Sequence, residues 1–401
     1  MSYFFRQQVH FEKRDWDESK VTRGETVPGT NKGSFKSPGD AAAGAGSAAL
    51  TAHSGRRKFR AAATDSALDN EVATSATPAQ TMQAQFGPRM GEAEILTYLQ
   101  RPDGPITPEQ WRRYEVASAA AKQAQEAAGG DTEKQHATKT RTADGEEVIR
   151  YTDERIKAVQ GPVVEKYVQE YFERAKANPS GEAELVVLAG RGGSGKSAFG
   201  YADDGSTGSF HLGFYSRSAV LLDPDQIKKD LYAQSVKSGA YPKDKAFDPE
   251  KSGAGYWHEE SSHVTKVIQN RMLEMASRGY RADVVFDLTL ASNKGTLMGR
   301  FRDAGFQTTL ANMNIPPQNS AEQAVARFLK GGRDGAGGRL VPVGVIAKSK
   351  NNEANFDEMI TMRSDKGFPV VGSWHIYTMR EFGKPPALVA SGGTRTKKGA
   401  R

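Results

Sequence analysis

The chain has 401 residues, about two or three domains' worth, yet only 37% of them are hydrophobic and the formal charge is +7 at pH 7. It holds no cysteine, which excludes disulfides, thiolate metal sites and cysteine nucleophiles and fits a reducing compartment. No run of eighteen apolar residues occurs, so no membrane-spanning helix is predicted, and the opening MSYFFRQQVHFEKRDW lacks the apolar core of a secretory signal.

Residues 1–90 read as a disordered, basic, low-complexity extension. Gly, Ala, Ser, Thr and Pro dominate from Gly24 to Pro88, too few apolar groups to offset the entropy of ordering. Residues 1–60 carry eleven Lys and Arg against six Asp and Glu, and Thr394–Arg401 adds four more basic residues. The charge excess therefore sits at the ends. It reads as solvated termini or as non-specific contact with a polyanion, so nucleic acid stays open as a partner. Within the extension, Asp17-Glu18-Ser19-Lys20, Arg23-Gly24-Glu25 and Asn31-Lys32-Gly33-Ser34-Phe35 resemble a segment of phage structural and mobile-element proteins.

Residues 91–146 are predicted to hold helical segments and a linker. Ile95, Leu96 and Leu99 have helical spacing, and Thr107-Pro108-Glu109-Gln110 reads as a helix start. The helix that follows is alanine-rich through Ala127, with Trp111, Tyr114 and Val116 as its few packing groups, and 131–146 read as linker. From Glu147 to Gly181, Val148, Ile149, Tyr151, Ile156, Val159, Val163, Val164, Tyr167, Val168 and Phe172 recur at three- and four-residue spacing. The pattern predicts one or two amphipathic helices, interrupted near Gly161-Pro162 and packed on the domain that follows.

Residues 182–392 alternate strand and helix patterns. Leu185–Leu188 is a buried strand running into Gly190-Arg191-Gly192-Gly193-Ser194-Gly195-Lys196-Ser197, which fits G-x-x-x-x-G-K-[ST] at every fixed position. Glycines let backbone N–H groups curl round phosphate oxygens, Lys196 reaches the β- and γ-phosphates, and the Ser197 hydroxyl can ligate Mg²⁺. Further strands are predicted at Ala219–Asp223, Ala282–Phe286, Gln307–Met313 and Trp374–Thr378, with another at Ala387–Ala390. Helices are predicted at Asp225–Val236, His258–Arg278, Asn293–Ala304 and Ala321–Leu329, and part of Val343–Met362 reads as helical. The fold class is α/β: a P-loop kinase-type, mostly parallel sheet with helices on both faces, preceded by a largely disordered and partly helical extension. Residues 393–401 form a basic tail.

Ligands of such sheets bind beyond the carboxyl ends of the strands. Asp225 follows the second strand and could orient the proton of an attacking hydroxyl, or simply cap the next helix. Asp223, the weaker candidate, could support the loop or a metal. Asp287 ends the third strand in a Walker-B-like pattern, as a Mg²⁺ carboxylate, as an acceptor contact with Thr289, or as a plain turn residue. Arg327, Arg333 and Arg339 bracket a glycine-rich stretch with the composition of a closing lid, or of an ordinary basic loop. Glu259, in Trp257–Ser262, could line an acceptor pocket or serve the helix dipole.

Together the phosphate loop, LLDPDQIKKDLY, WHEESS, GYRADVVFDLTLAS, the arginine lid and Ile376–Ala390 resemble the zeta toxin family of P-loop kinases, from about Glu184 to Gly392. The resemblance implies transfer of a phosphoryl group from ATP, with Mg²⁺, to a hydroxyl of a nucleotide-containing small molecule such as UDP-N-acetylglucosamine or NAD. It implies Asp225 as catalytic base, Lys196 and Ser197 as ATP and Mg²⁺ residues, Asp287 and Thr289 as acceptor contacts, and Arg327 with Arg333 or Arg339 as phosphate clamps. It further implies toxin activity, a cytoplasmic site of action, and an antitoxin or chaperone as partner. Leu288 and Leu290-Ala291 depart from the family's pattern and put a UDP-sugar acceptor in doubt. Two other readings stand beside it. One is a phage or mobile-element structural or delivered protein, docked on the particle through its extension; the other is a polynucleotide 5′-kinase.

Overall fold

The computed structural model describes Pro78, Gln80 and Met82 together with residues 90–104, 106–141, 147–178, 180–196, 218–331, 339–347, 352–379 and 386–393. The phage-like stretch Asp17–Phe35, the basic tail, Ser197 and Arg333 lie outside them. No helix among the described residues is long and apolar enough to cross a membrane.

Helix α1 (Glu92–Leu99) starts where the Gly91 amide donates to Glu94 Oε2 at 2.7 Å, and it buries Ile95 and Leu99. Helix α2 (Pro108–Ala127) has a reciprocal capping box: Gln110 N donates to Thr107 Oγ1 at 3.2 Å and Thr107 N donates to Gln110 Oε1 at 2.8 Å. It buries only Trp111 and Tyr114.

Within the expected linker, residues 132–141 form regular structure instead. Asp131 caps the short α3 (Thr132–His136), and β1 (Ala137–Arg141) pairs antiparallel with β2 (Glu147–Tyr151), Ala137 opposite Tyr151. Val148, Ile149 and Tyr151 therefore belong to a strand rather than to a helix. β-Branched and aromatic residues suit a pleated pair, and with Thr138 and Thr140 opposite they outweigh the helical spacing.

The expected break at Gly161-Pro162 is also absent. A single turn, Asp153–Arg155, passes into a π turn, Ile156–Gln160, and directly into α4 (Gly161–Lys176). Pro162 has no N–H to give the preceding turn, and the wider π turn spares the helix that bond and its steric clash.

The main sheet has the order β4-β5-β3-β6-β7-β8: β3 (Glu184–Gly190), β4 (Val220–Leu222), β5 (Val284–Asp287), β6 (Gln307–Met313), β7 (Ser373–Thr378) and β8 (Ala387–Gly393). All neighbours are parallel except β7 and β8. The six strands and the helices flanking them make the mixed α/β, mostly parallel architecture that the alternation predicts. β3 is buried on both sides, hence its unbroken Leu185-Val186-Val187-Leu188-Ala189.

The connecting helices are α5 (Pro224–Ser238), α6 (His258–Ser277), α7 (Gly295–Asp303), α8 (Pro317–Lys330), α9 (Val343–Ala347) and α10 (Asn352–Thr361). One apolar cluster joins the sheet to α4, α5, α6, α7 and α10, around Tyr171, Trp257, Phe286 and Phe301. A second is built from α1, α2, α8 and α9: Ile95, Leu99, Trp111, Tyr114, Ala321, Val325, Phe328 and Val341. The sparsely apolar α2 thus has a partner, the helix that carries Arg327.

A fully buried polar hub ties the segment before the phosphate loop to α6. Arg155 forks onto Glu260, Nε to Oε1 at 2.8 Å and Nη2 to Oε2 at 2.7 Å, while Nη1 meets Asp244 Oδ2 at 2.6 Å. Gln160 and Ser235 donate to Glu260 Oε1 and Asp244 Oδ2, which Arg155 also meets, and Tyr256 donates to the remaining Asp244 Oδ1, at 2.6–2.9 Å. The guanidinium lies over the Tyr241 and Trp257 rings, 4.5 and 5.4 Å from their centroids.

Candidate active site

The phosphate loop leaves β3 at the centre of the sheet, where the crevice beyond the strand ends is deepest. Its backbone requires glycine. Gly190, Gly193 and Gly195 have φ of 147°, 86° and 84°. A Cβ on Gly193 would stand 2.4 Å from the Ser320 carbonyl oxygen, and one on Gly190 would stand 2.5 Å from Ser194 Oγ. The start of α8 therefore braces the loop, and Ser320 Oγ donates to the Gly192 carbonyl at 3.0 Å.

Lys196 is folded onto its own loop, Nζ donating to the Gly190 and Arg191 carbonyls at 2.9 and 3.3 Å, and lies 3.5 Å from Asp287 Oδ1. The Arg191 side chain turns inward, away from the cradle. Its Nη2 pairs with Glu353 Oε1 on α10 at 3.0 Å and its Nη1 reaches the Ile315 carbonyl at 3.3 Å. Arg191 thus fastens the loop to the fold through its side chain. Ser194 Oγ is buried without a partner among the described residues.

Of the two aspartates after β4, Asp223 is the helix cap: its Oδ1 accepts the Asp225 amide at 2.8 Å. That leaves the Asp225 carboxylate for other partners. Lys228, one turn on and itself buried, donates to Oδ1 at 3.0 Å, and Arg339 Nη1 pairs with Oδ2. Burial alone would raise the Asp225 pKa, but Lys228 and then Arg339 hold it down, to about 2. Asp223 moves the other way, upward, first through burial and then through its neighbour Asp225.

Asp287 ends β5 beside Leu188 of β3, its side chain 25% exposed. Burial pushes its pKa up to about 6; Lys196 opposes the rise, while Asp223 and Asp225 add to it. Two carboxylates, one at the end of β5 and one just beyond the adjacent β4, are thereby driven apart in proton affinity.

Thr289 is exposed just beyond β5, and Glu259 is exposed in the first turn of α6. Its neighbour Glu260 points inward to the Arg155 hub. The His258 imidazole has its pKa lowered by burial and then by Lys228, with Asp225 and Arg339 also within its field. Arg327, exposed on the last turn of α8, has its pKa lowered by burial and by the charge of Arg339, and Asp225 counters this.

Sequence reading missed Lys228, although its i, i+3 offset from Asp225 on a helix was a usable signal. It also ranked Asp223 below Asp225 without seeing that the cap frees the other carboxylate. The Arg155–Glu260–Asp244 hub left no local signal at all.

Among the described residues no group of three or more His, Asp or Glu is arranged to hold a metal ion. A phosphate-loop site does not require one, because Mg²⁺ there keeps waters and phosphate oxygens and takes only one or two protein ligands. The raised proton affinity of Asp287, to which Asp223 and Asp225 contribute, fits such a hard cation.

The zeta toxin family profile matches residues 168–362, from within α4 to just past α10, a little under half of the chain. The segment Ile376–Ala390 lies beyond that match. No curated protein matches the sequence. Among solved structures, the AvrRxo1-ORF1:AvrRxo1-ORF2 complex with sulphate ions aligns with a TM-score of 0.43 and 17% identity, covering 65% of this chain and 76% of that one. The same pair with ATP gives 0.37 and 16%, covering 65% and 76%. The PezAT chromosomal toxin–antitoxin system of Streptococcus pneumoniae gives 0.36 and 12%, covering 60% and 82%.

Proposed function

We propose that this chain is an ATP-dependent kinase of zeta toxin type, which transfers the γ-phosphoryl group to a hydroxyl of a nucleotide-containing small molecule and acts as a toxin. The observation that carries the reading is the meeting of three elements at one strand end: Lys196 of the phosphate loop beside Asp287, and Asp225 clamped by Lys228 and the lid residue Arg339. The family match to residues 168–362 supports it.

In this reading the loop amides and Lys196 hold the ATP phosphates. The Lys196 ammonium then exchanges its loop carbonyls for phosphate oxygens. Arg339, drawn to the same anion, leaves Asp225, and Arg327 approaches from the end of α8. Losing one of its two cations raises the proton affinity of Asp225, which then takes the proton of the acceptor hydroxyl as its oxygen attacks phosphorus. Asp287 and Ser197 would hold Mg²⁺, which supplies neutralisation of the phosphate charge. Thr289 and Glu259 line the acceptor side. A UDP-sugar and NAD are the acceptor classes to examine first, and an antitoxin or chaperone is the expected protein partner.

One observation favours a second assignment of the base. Asp287 already has a pKa of about 6, near working pH, and Lys196 leaving it for phosphate would raise it further. In that version Asp287 takes the proton and Asp225 holds the arginine.

The test is incubation of the full chain with ATP–Mg²⁺ and a panel of UDP-sugars, NAD, nucleosides and oligonucleotides, with products identified by phosphorus NMR and mass spectrometry. A phosphorylated small molecule, lost in Lys196→Ala and Asp225→Asn together with growth inhibition, is expected. ADP formation with no acceptor in the panel, or undiminished toxicity of both variants, overturns the reading. Phosphorylation of oligonucleotides alone would turn it to a polynucleotide 5′-kinase.

A further inference from the structure

The second apolar cluster lies largely outside the chemistry, yet one of its side chains touches both arginine-bearing ends of the lid. Tyr114, on α2 and outside the family-matched segment, is 4% exposed. Its hydroxyl donates to the Val341 carbonyl at 2.8 Å, close to the backbone of Val343. Val341 is two residues beyond Arg339. Its neighbour Leu340 is fixed from the other side, its amide donating to the Lys251 carbonyl at 2.9 Å. Val341 also lies against the phosphate loop, its Cγ1 3.6 Å from where a Cβ on Gly192 would be. The Tyr114 ring meets Phe328 edge-on at 5.6 Å, and Phe328 follows Arg327. Trp111 backs the ring at 5.3 Å.

We propose that Tyr114 is a positioning residue for the phosphoryl-clamping arginines: its hydroxyl pins Val341 so that Arg339 enters the cleft in register, and its ring steadies the helix end that carries Arg327. This rests on the kinase reading, in which the arginines act on the transferring group.

The chemistry of the contact separates positioning from mere packing. A phenylalanine would fill the same volume beside Trp111 and Phe328. The hydroxyl adds a directed bond to the carbonyl of a buried residue. Burial also pushes the phenol up to about 12, so it remains a neutral donor at every working pH. Arg339 itself lies in no helix or strand, so its placement depends on what fixes Leu340 and Val341 immediately after it. Without a fixed point immediately after it, the guanidinium would lose the orientation on which transition-state charge stabilisation depends.

The experiment compares Tyr114→Phe with Ile95→Val, a packing change in the same cluster that leaves the Tyr114–Val341 hydrogen bond in place. Steady-state kinetics and amide hydrogen exchange are measured on the full chain. Tyr114→Phe is expected to lower kcat about tenfold with KM for ATP within about twofold, because the arginines serve the transition state and the loop serves binding. It should also speed exchange over residues 339–347 about tenfold while leaving β3 and β5 unchanged. Ile95→Val should lower the melting temperature and leave kcat unchanged. An unchanged kcat in Tyr114→Phe, an equal loss of kcat in Ile95→Val, or exchange that quickens uniformly or not at all would overturn the proposal. If the parent chain phosphorylates nothing, the kinase reading fails, and exchange alone then decides whether Tyr114 pins the Arg339 segment.

Discussion

Two clusters of charge sit on opposite ends of α5, and they are built from the same residue types to opposite effect. In the hub, Arg155 meets Glu260 and Asp244 with every side-chain nitrogen bonded, and all three residues are at most 1% exposed. In the cleft, Asp225, Asp223 and Asp287 share Lys196, Lys228 and Arg339 with partners left over. Arg339 Nε and Ser194 Oγ are buried with none among the described residues. A satisfied network holds one geometry. An unsatisfied one keeps donors, and shifted proton affinities, in reserve for an anion. The hub is therefore assigned to stability and the cleft to chemistry.

That division is sharpest in the cleft's own variants. Lys196→Ala is expected to reduce phosphoryl transfer at least about a hundredfold, and Asp225→Asn by about 10²–10⁴-fold. The melting temperature of Lys196→Ala should move far less than that of any hub variant, as calorimetry on the same preparations would reveal. A collapse of stability equal to the loss of activity would erase the distinction.

The converse holds at the hub. Arg155→Ala leaves two carboxylates buried without their cation, a loss of about 3–5 kcal/mol. Denaturant unfolding should record it. A well-folded Arg155→Ala protein would mean that the hub is ornamental.

Asp287 gives a pH-dependent test. Its folded pKa, about 6, lies above its ordinary 3.8, so folding disfavours the ionised form. The resulting cost is absent below about pH 4, grows through the interval and is complete above about 6. Asp287→Asn should therefore stabilise the fold at pH 7, on the order of 2 kcal/mol, and have little effect at pH 3.5. If Asp287 must be ionised for transfer, the rate should also fall as pH drops through about 6, and that limb should vanish in the variant. Equal stability changes at both pH values would show that the carboxyl is not held in this state.

The smallest effect belongs to neither cluster. Arg278 and Glu274 pair at 2.8 Å on the surface of α6, both about half exposed or more. Glu274→Gln should change stability by less than about 0.5 kcal/mol, which sets the baseline for the others.

How far these features could be foreseen depended on how local they are. The phosphate loop, the strand ends at Asp225 and Asp287, and β6 at Gln307–Met313 were legible because each depends on a run of adjacent residues. The hairpin was not. Val148, Ile149 and Tyr151 satisfy a helical spacing as well as a strand, and the choice fell to the partner strand Ala137–Arg141. The π turn before Pro162 was hidden for the same reason, since a proline written as a helix break is tolerated once the turn before it widens.

The sequence by itself determined a glycine-rich anion cradle, the alternation that builds a mostly parallel sheet, and the placing of carboxylates beyond its strand ends. Only the tertiary structure decided what those carboxylates are. It made Asp223 the cap and Asp225 the clamped acid, turned Arg191 away from the cradle, buried Glu260 and left Glu259 exposed, and brought Tyr114 against Val341. Spacing along the chain fixes which residues share a face or a turn. Partners such as Asp225 with Arg339, or Arg155 with Glu260, are a hundred or more residues apart. Their pairing depends on how the helices dock, through burial and charge that no local pattern records.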